Sequence, residues 1–335
     1  MRHILLACTL CAVPFASQAE TEIESITNGH ILPRFEALAQ SARAFADVAV
    51  GDCAPTSPAL RAAYGTAFDA WVVASHLRFG PTEVDDRAFA LAFWPDSRGA
   101  TPRALAGLIA DEDPIAANAA SYADMSIAAR GFYAMEFLLF DDAISTAGDA
   151  DYHCKLVQTV AADIAATSEA ILEDWQAGYA DVVQSPGPDG VYRSEEEVLQ
   201  EMLRALSTGL ELTSDVRLGR PLGTFDAPRP KRAEAYRSGR SEANVVLSLT
   251  SLRDLAARMS VDDAALADKL DAEFNAVLAR LGTLDDPVFA GVSEPQSRLR
   301  IEVVQQGVDA IRNTVTQELG PTLGVAAGFN SLDGD

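Results

Sequence analysis

Gly131-Phe132-Tyr133-Ala134-Met135-Glu136-Phe137-Leu138-Leu139-Phe140 places a single carboxylate inside an otherwise apolar run. Neither proline nor a further glycine interrupts it before Phe140. A run that is apolar nearly all round predicts a buried helix rather than an amphipathic surface helix. A buried carboxylate must find a cation, a metal or hydrogen-bond donors, because burial without them is strongly unfavourable or forces protonation. Tyr133 and Glu136 stand three residues apart, so both side chains leave the helix on one face. Glu136 is the first place to look for function.

Working outward, nearly every segment keeps a helical period and none alternates convincingly at period two. Helices are expected over about 31–50, 59–77, 123–140, 151–183, 194–219, 241–259, 262–281 and 293–319. Residues 80–122, broken by Pro81, Pro95, Gly99, Pro102 and Pro114, read as short helices and loops. Ser194-Glu195-Glu196-Glu197 has the form of a capping box. Ser185-Pro186-Gly187-Pro188-Asp189-Gly190 is the clearest linker. The expected fold class is therefore all-α. Two helical bundle domains, 20–186 and 190–335, should pack together with a cleft between them.

The first residues read as a signal peptide, residues 1–19. Met1-Arg2-His3 is a short basic start, an apolar stretch runs over 4–15, and Ser17-Gln18-Ala19 offers small residues ahead of a cut after Ala19. Leu5-Leu6-Ala7-Cys8 comes too early for a lipoprotein box, so an anchored lipoprotein is not expected. No apolar run is long enough for a membrane span. The expected location is the bacterial periplasm. Cys53 and Cys154 remain after cleavage, and an even count in an oxidising compartment points to one disulfide, with two buried free thiols as the alternative.

The chain carries 26 Lys and Arg against 49 Asp and Glu, a formal net charge of −23. That balance argues against nucleic acid and anionic membrane surfaces as partners. Motifs remove other classes. There is no H-E-x-x-H, no G-x-S-x-G elbow, no P-loop and no dinucleotide fingerprint. Three clusters remain. Tyr133 and Glu136 form either a metal- or cation-binding pair or a buried glutamate satisfied by an arginine. Trp71 to Pro81 brings His76 and Arg78 to the end of an aromatic-faced helix, with Arg78 a partner for a buried carboxylate. Residues 230–241 are unusually basic for this chain and hold Glu234, Arg237 and Ser238, read as a solvated loop or as a loop reaching the domain interface.

These segments together resemble the imelysin-like proteins, exported bacterial proteins catalogued with peptidase M75. The resemblance rests on the Gly131–Phe140 run, the Trp71…Phe79-Gly80-Pro81 segment, the Arg232…Glu234…Arg237-Ser238 loop and the closing Gly328-Phe329-Asn330-Ser331-Leu332-Asp333-Gly334-Asp335. It implies two helical bundles with a site at their interface, built here from Trp71, His76, Arg78, Gly131, Tyr133, Glu136, Glu234, Arg237 and Ser238. The family signature is G-x-H-x-x-E, whose His and Glu are the proposed metal ligands. This chain keeps Gly131 and Glu136 but has Tyr133 in the place of the histidine, and so is similar to the branch that lacks it. Imidazole suits zinc and iron, whereas a phenol of pKa about 10 ligates mainly hard Fe(III) as phenolate.

The resemblance implies a non-catalytic periplasmic protein of iron binding or uptake, with Glu136 and Tyr133 toward iron or another divalent or trivalent metal. Its partners would be the metal ion or a small ligand, together with periplasmic or membrane iron-uptake components. The alternative is a binding module that takes a non-metal ligand or a partner protein in the interdomain cleft. A metallopeptidase is the less favoured reading, because the signature histidine is missing.

Overall fold

The computed structural model describes residues 21–325. The expected signal peptide with Cys8 and Cys11, and the closing segment from Gly328, lie outside the described residues. Within them the chain is helical, and the only β pairing is an isolated bridge between Thr224 and Ala227. The helices are α1 (Glu22–Ile26), α2 (Leu32–Gly51), α3 (Pro58–Ala74), α4 (Arg87–Leu91), α5 (Ala100–Asp111), α6 (Ala119–Tyr122), α7 (Gly131–Phe140), α8 (Asp142–Ser145), α9 (Ala150–Asp174), α10 (Ala180–Gln184), α11 (Glu195–Glu211), α12 (Gly219–Leu222), α13 (Ser241–Met259), α14 (Ala264–Leu281), α15 (Pro295–Thr314) and α16 (Gly320–Thr322).

In the N-terminal half α2 packs along both α3 and α9, and α7 lies on α9. In the C-terminal half α13, α14 and α15 pack in sequence, with α11 against α13 and α15. The halves meet where α13 crosses α3 and where α1 reaches α13 and α11. Their apolar residues form one contiguous buried cluster. Cys53, just past α2, is bonded to Cys154 near the start of α9, which makes the expected disulfide.

Several boundaries differ from expectation. The first helix begins at Glu22, where Thr21 and Glu24 form a reciprocal capping box. It reaches α2 through a widened π turn, Thr27–Ile31. Pro33, one residue into α2, has no N–H to give the preceding turn, and such turns are a usual response to a broken ladder. Similar π turns, Trp175–Tyr179, Leu212–Leu218 and Val315–Leu319, extend α9, α11 and α15. The expected box at Ser194 is not made. Glu197 accepts at 2.7 Å from the Arg193 amide, one residue ahead of the cap, and the Ser194 side chain makes no cap bond.

The expected helix over 123–140 is also shorter. α7 starts at Gly131, whose φ of +73° is a left-handed value. A Cβ there would lie 2.2 Å from the Leu91 carbonyl oxygen and 2.3 Å from that of Ala90, so only glycine fits. Periodicity alone does not register such a contact. Arg130, just before it, forks onto Asp163 of α9 at 2.9 and 2.7 Å. At the other end Arg61 of α3 donates to the Leu139 carbonyl at 2.6 Å, satisfying a C-terminal group the helix itself leaves open.

Candidate functional site

The anchored α7 presents Tyr133 and Glu136 to the loop between α12 and α13. Glu136 is 2 % exposed. One of its oxygens, Oε1, accepts from the Ser238 backbone N–H at 2.9 Å and from the Ser238 hydroxyl at 2.8 Å. Burial raises its pKa, while the two Ser238 donors and nearby Arg237 pull it back. Tyr133 donates to Oε1 of Glu234 at 2.5 Å. The other oxygen of Glu234 accepts from Arg217 Nε at 2.7 Å, and this ion pair is 3 % exposed on each side. Arg217 also donates to the Ser248 hydroxyl at 2.9 Å. Burial, then the charge of Glu234, drives the Tyr133 pKa well upward, so the phenol stays protonated.

Beside this network lies a cavity of ≈ 200 Å³. Trp94, Tyr133, Glu136 and Phe137 form one side, and Arg220 of α12 with Lys231, Arg232, Tyr236 and Arg237 of the loop form the other. Trp94 stacks on Tyr133 with ring centroids 6.0 Å apart, and the Arg220 guanidinium lies over its indole at 5.8 Å. Arg237 donates to Asp141 at 2.7 Å and covers the Phe137 ring at 3.9 Å. Asp96 also lines the cavity, but its carboxylate caps α5, accepting from Ala100 and Thr101 at 2.9 and 2.8 Å. Burial opposes its charge, but these amide donors outweigh it and hold its carboxyl below the ordinary value.

Gly131, Tyr133, Glu136, Glu234, Arg237 and Ser238 are thus brought together by the fold. The other expected residues are not. Trp71 is buried in the core, away from the cavity. Arg78 donates to Glu83 at 2.5 Å and covers Phe89 at 4.7 Å, so it is no partner of Glu136. Arg237 is engaged by Asp141, and serine rather than arginine holds Glu136. His76 sits at a separate seam, with its Nε2 2.9 Å from Nε2 of His30, whose Nδ1 lies 2.8 Å from Asp254. Asp254 also accepts from Arg34 at 3.0 Å. Sequence reasoning missed Trp94, Arg217 and Arg220 because each is isolated in its own segment. His30 and Arg217 both lie in π turns, which periodicity does not reveal.

A metal ion does not fit these donors. The Tyr133 proton is committed to Glu234, Glu234 is neutralised by Arg217, and one oxygen of Glu136 is held by Ser238. Cations line the approach. Among the described residues no group of three or more His, Cys, Asp or Glu is placed to hold a metal. The expected phenolate–carboxylate pair is therefore replaced by two separate carboxylates, each with its own donors.

Known proteins share this architecture. An imelysin-like protein from Psychrobacter arcticum 273-4 superposes with a TM-score of 0.79 at 21 % identity, over 93 % of this chain and 98 % of its own. A candidate iron-regulated protein A precursor from Parabacteroides distasonis ATCC 8503 superposes with a TM-score of 0.73 at 12 % identity, over 90 % and 95 %. No curated protein sequence matches the chain. The family profile described as Imelysin, Peptidase_M75, matches residues 31–315, and the chain belongs to the imelysin family.

Proposed function

We propose that this chain is an exported, non-catalytic imelysin-family binding protein that holds a small molecule in the cavity beside Glu136, in an iron-related role. The observation that carries the binding reading is the cavity itself. It is walled by aromatic rings and charged groups at the contact of α7 with the 229–240 loop, and its buried carboxylates already accept from protein donors. Such groups orient a ligand: both oxygens of Glu234 are engaged, by Tyr133 and Arg217, and Oε1 of Glu136 is held by Ser238. The iron association comes from the name of the Parabacteroides relative. Export is supported by the leader-like residues 1–19 and by a disulfide that suits an oxidising compartment.

Native mass spectrometry of the chain purified after export tests the binding part. A small molecule released on denaturation, and absent from Trp94→Ala, is the expected result. Hydrolysis of a peptide library that disappears in Glu136→Gln would overturn the non-catalytic reading. Titration with Fe(III) and Zn(II) checks the ligand class, because tight one-to-one uptake lost in both Tyr133→Phe and Glu136→Gln would restore a metal site. The iron role is checked in cells: a deletion strain should grow more poorly on iron-limited medium, and unchanged growth removes that part.

A further inference from the structure

We propose that the cavity beside Glu136 takes a small oxyanion, a carboxylate- or phosphate-bearing molecule, gripped by Arg220 and Arg232 with Lys231 at the rim. This deepens the binding reading above and rests on it. The chain as a whole carries a net charge of −23, yet the wall of this cavity carries Arg220, Lys231, Arg232 and Arg237. Only Arg237 has a carboxylate partner, Asp141.

The acids nearby do not neutralise the other three. Glu234 is matched one-to-one by Arg217. Asp96 is turned into the amide groups that begin α5. Glu136 faces Ser238, and its burial disfavours the charged form. What remains is an excess of positive charge around a partly enclosed space.

Arg220 supplies the second observation. Its Nε is out of contact with solvent and has no hydrogen-bond partner. Burial, and then the neighbouring charge of Arg232, works against its own charge. An unpaired buried donor is costly, and a shift of the guanidinium toward an acceptor in the cavity would remove that cost. A planar guanidinium presents its donors as a fork that matches a carboxylate or phosphate, and two such forks side by side favour a ligand with more than one oxygen. Trp94 holds the Arg220 guanidinium over its ring and so limits where the fork can point. A bare metal cation would meet the same charges as repulsion, in agreement with the donor set described above.

The test is calorimetric titration of the exported chain at low ionic strength with two probes, inorganic phosphate and citrate. Wild type is compared with Arg220→Gln, Arg232→Gln and, as a distant surface control, Arg43→Gln. Circular dichroism melts confirm that each variant is folded. The expected result is one-to-one binding of at least one probe, weakened at least tenfold in Arg220→Gln and in Arg232→Gln, unchanged in Arg43→Gln and weakened by added salt. Phosphate alone identifies a phosphate-reading subsite, and citrate alone a carboxylate-reading one. No binding of either probe, or equal affinity in wild type and Arg220→Gln, overturns the oxyanion inference. If a small molecule still co-purifies in a Trp94-dependent way while both probes fail, the binding reading stands without it.

Discussion

Glu136 and Glu234 are both buried glutamates within one site, yet they depend on different partners and should respond differently to the same change. Glu136→Gln keeps an oxygen for Ser238 and removes a charge that burial disfavours, so its stability should stay within about 1 kcal/mol of wild type. Glu234→Gln strands the Arg217 guanidinium in a dry environment and should cost about 3 kcal/mol or more. Urea denaturation of the two variants measures both, and equal losses would mean that the Arg217 pair is not the structural one. Gly131→Ala is the third residue-level case. It combines a left-handed φ with a clash against the Leu91 carbonyl, so a loss of at least about 2 kcal/mol is expected from the same measurement.

At the scale of elements, α7 has almost no polar surface of its own and is positioned by others. Arg130 ties its start to α9, Arg61 closes its end from α3, and Gly131 lets it approach α4. The 229–240 loop then meets it through Ser238. The disulfide acts one layer back, joining the end of α2 to the start of α9 across a sequence separation of 101 residues. Closing a loop of that length restricts the unfolded chain, and the double change Cys53→Ser with Cys154→Ser should lower stability by about 4 kcal/mol. Thermal and urea unfolding of the two forms measure it, and a loss below about 1 kcal/mol would place the bond outside the stabilising framework.

At the scale of the whole molecule, the two halves are joined by buried polar contacts as well as by apolar packing. Arg34 donates to Ser251 at 2.7 Å, and His30, His76 and Asp254 link α3 and the first helical turns to α13. Burial lowers the pKa of His30 to about 4, although Asp254 resists this, and burial likewise lowers that of His76. The unfolded chain therefore binds a proton below about pH 6.5 that the folded chain refuses until about pH 4. Stability present above pH 6.5 should be lost as the pH falls through that window, by about 3 kcal/mol for the His30 shift. Melting temperatures from pH 7 to pH 4 should fall, and less steeply in His30→Gln, whose side chain does not titrate. Parallel slopes would assign the acid sensitivity elsewhere.

The sequence by itself determined the all-helical class, because apolar spacing of three and four residues survives any tertiary arrangement, and it singled out the Gly131–Phe140 run because a lone acid among apolar residues demands partners. The resemblance to imelysin-like proteins was likewise legible in that run and in the Arg232…Ser238 loop. Only the tertiary structure decided which donors answer the demand. Ser238 for Glu136, Arg217 for Glu234 and Glu83 for Arg78 are choices made by packing between segments as much as 102 residues apart, and helical periodicity carries no term for them. The cationic wall emerged in the same way. Arg220 and Trp94 are unremarkable within their own segments, and they become part of a site only when α12 is folded against the chain ahead of α5.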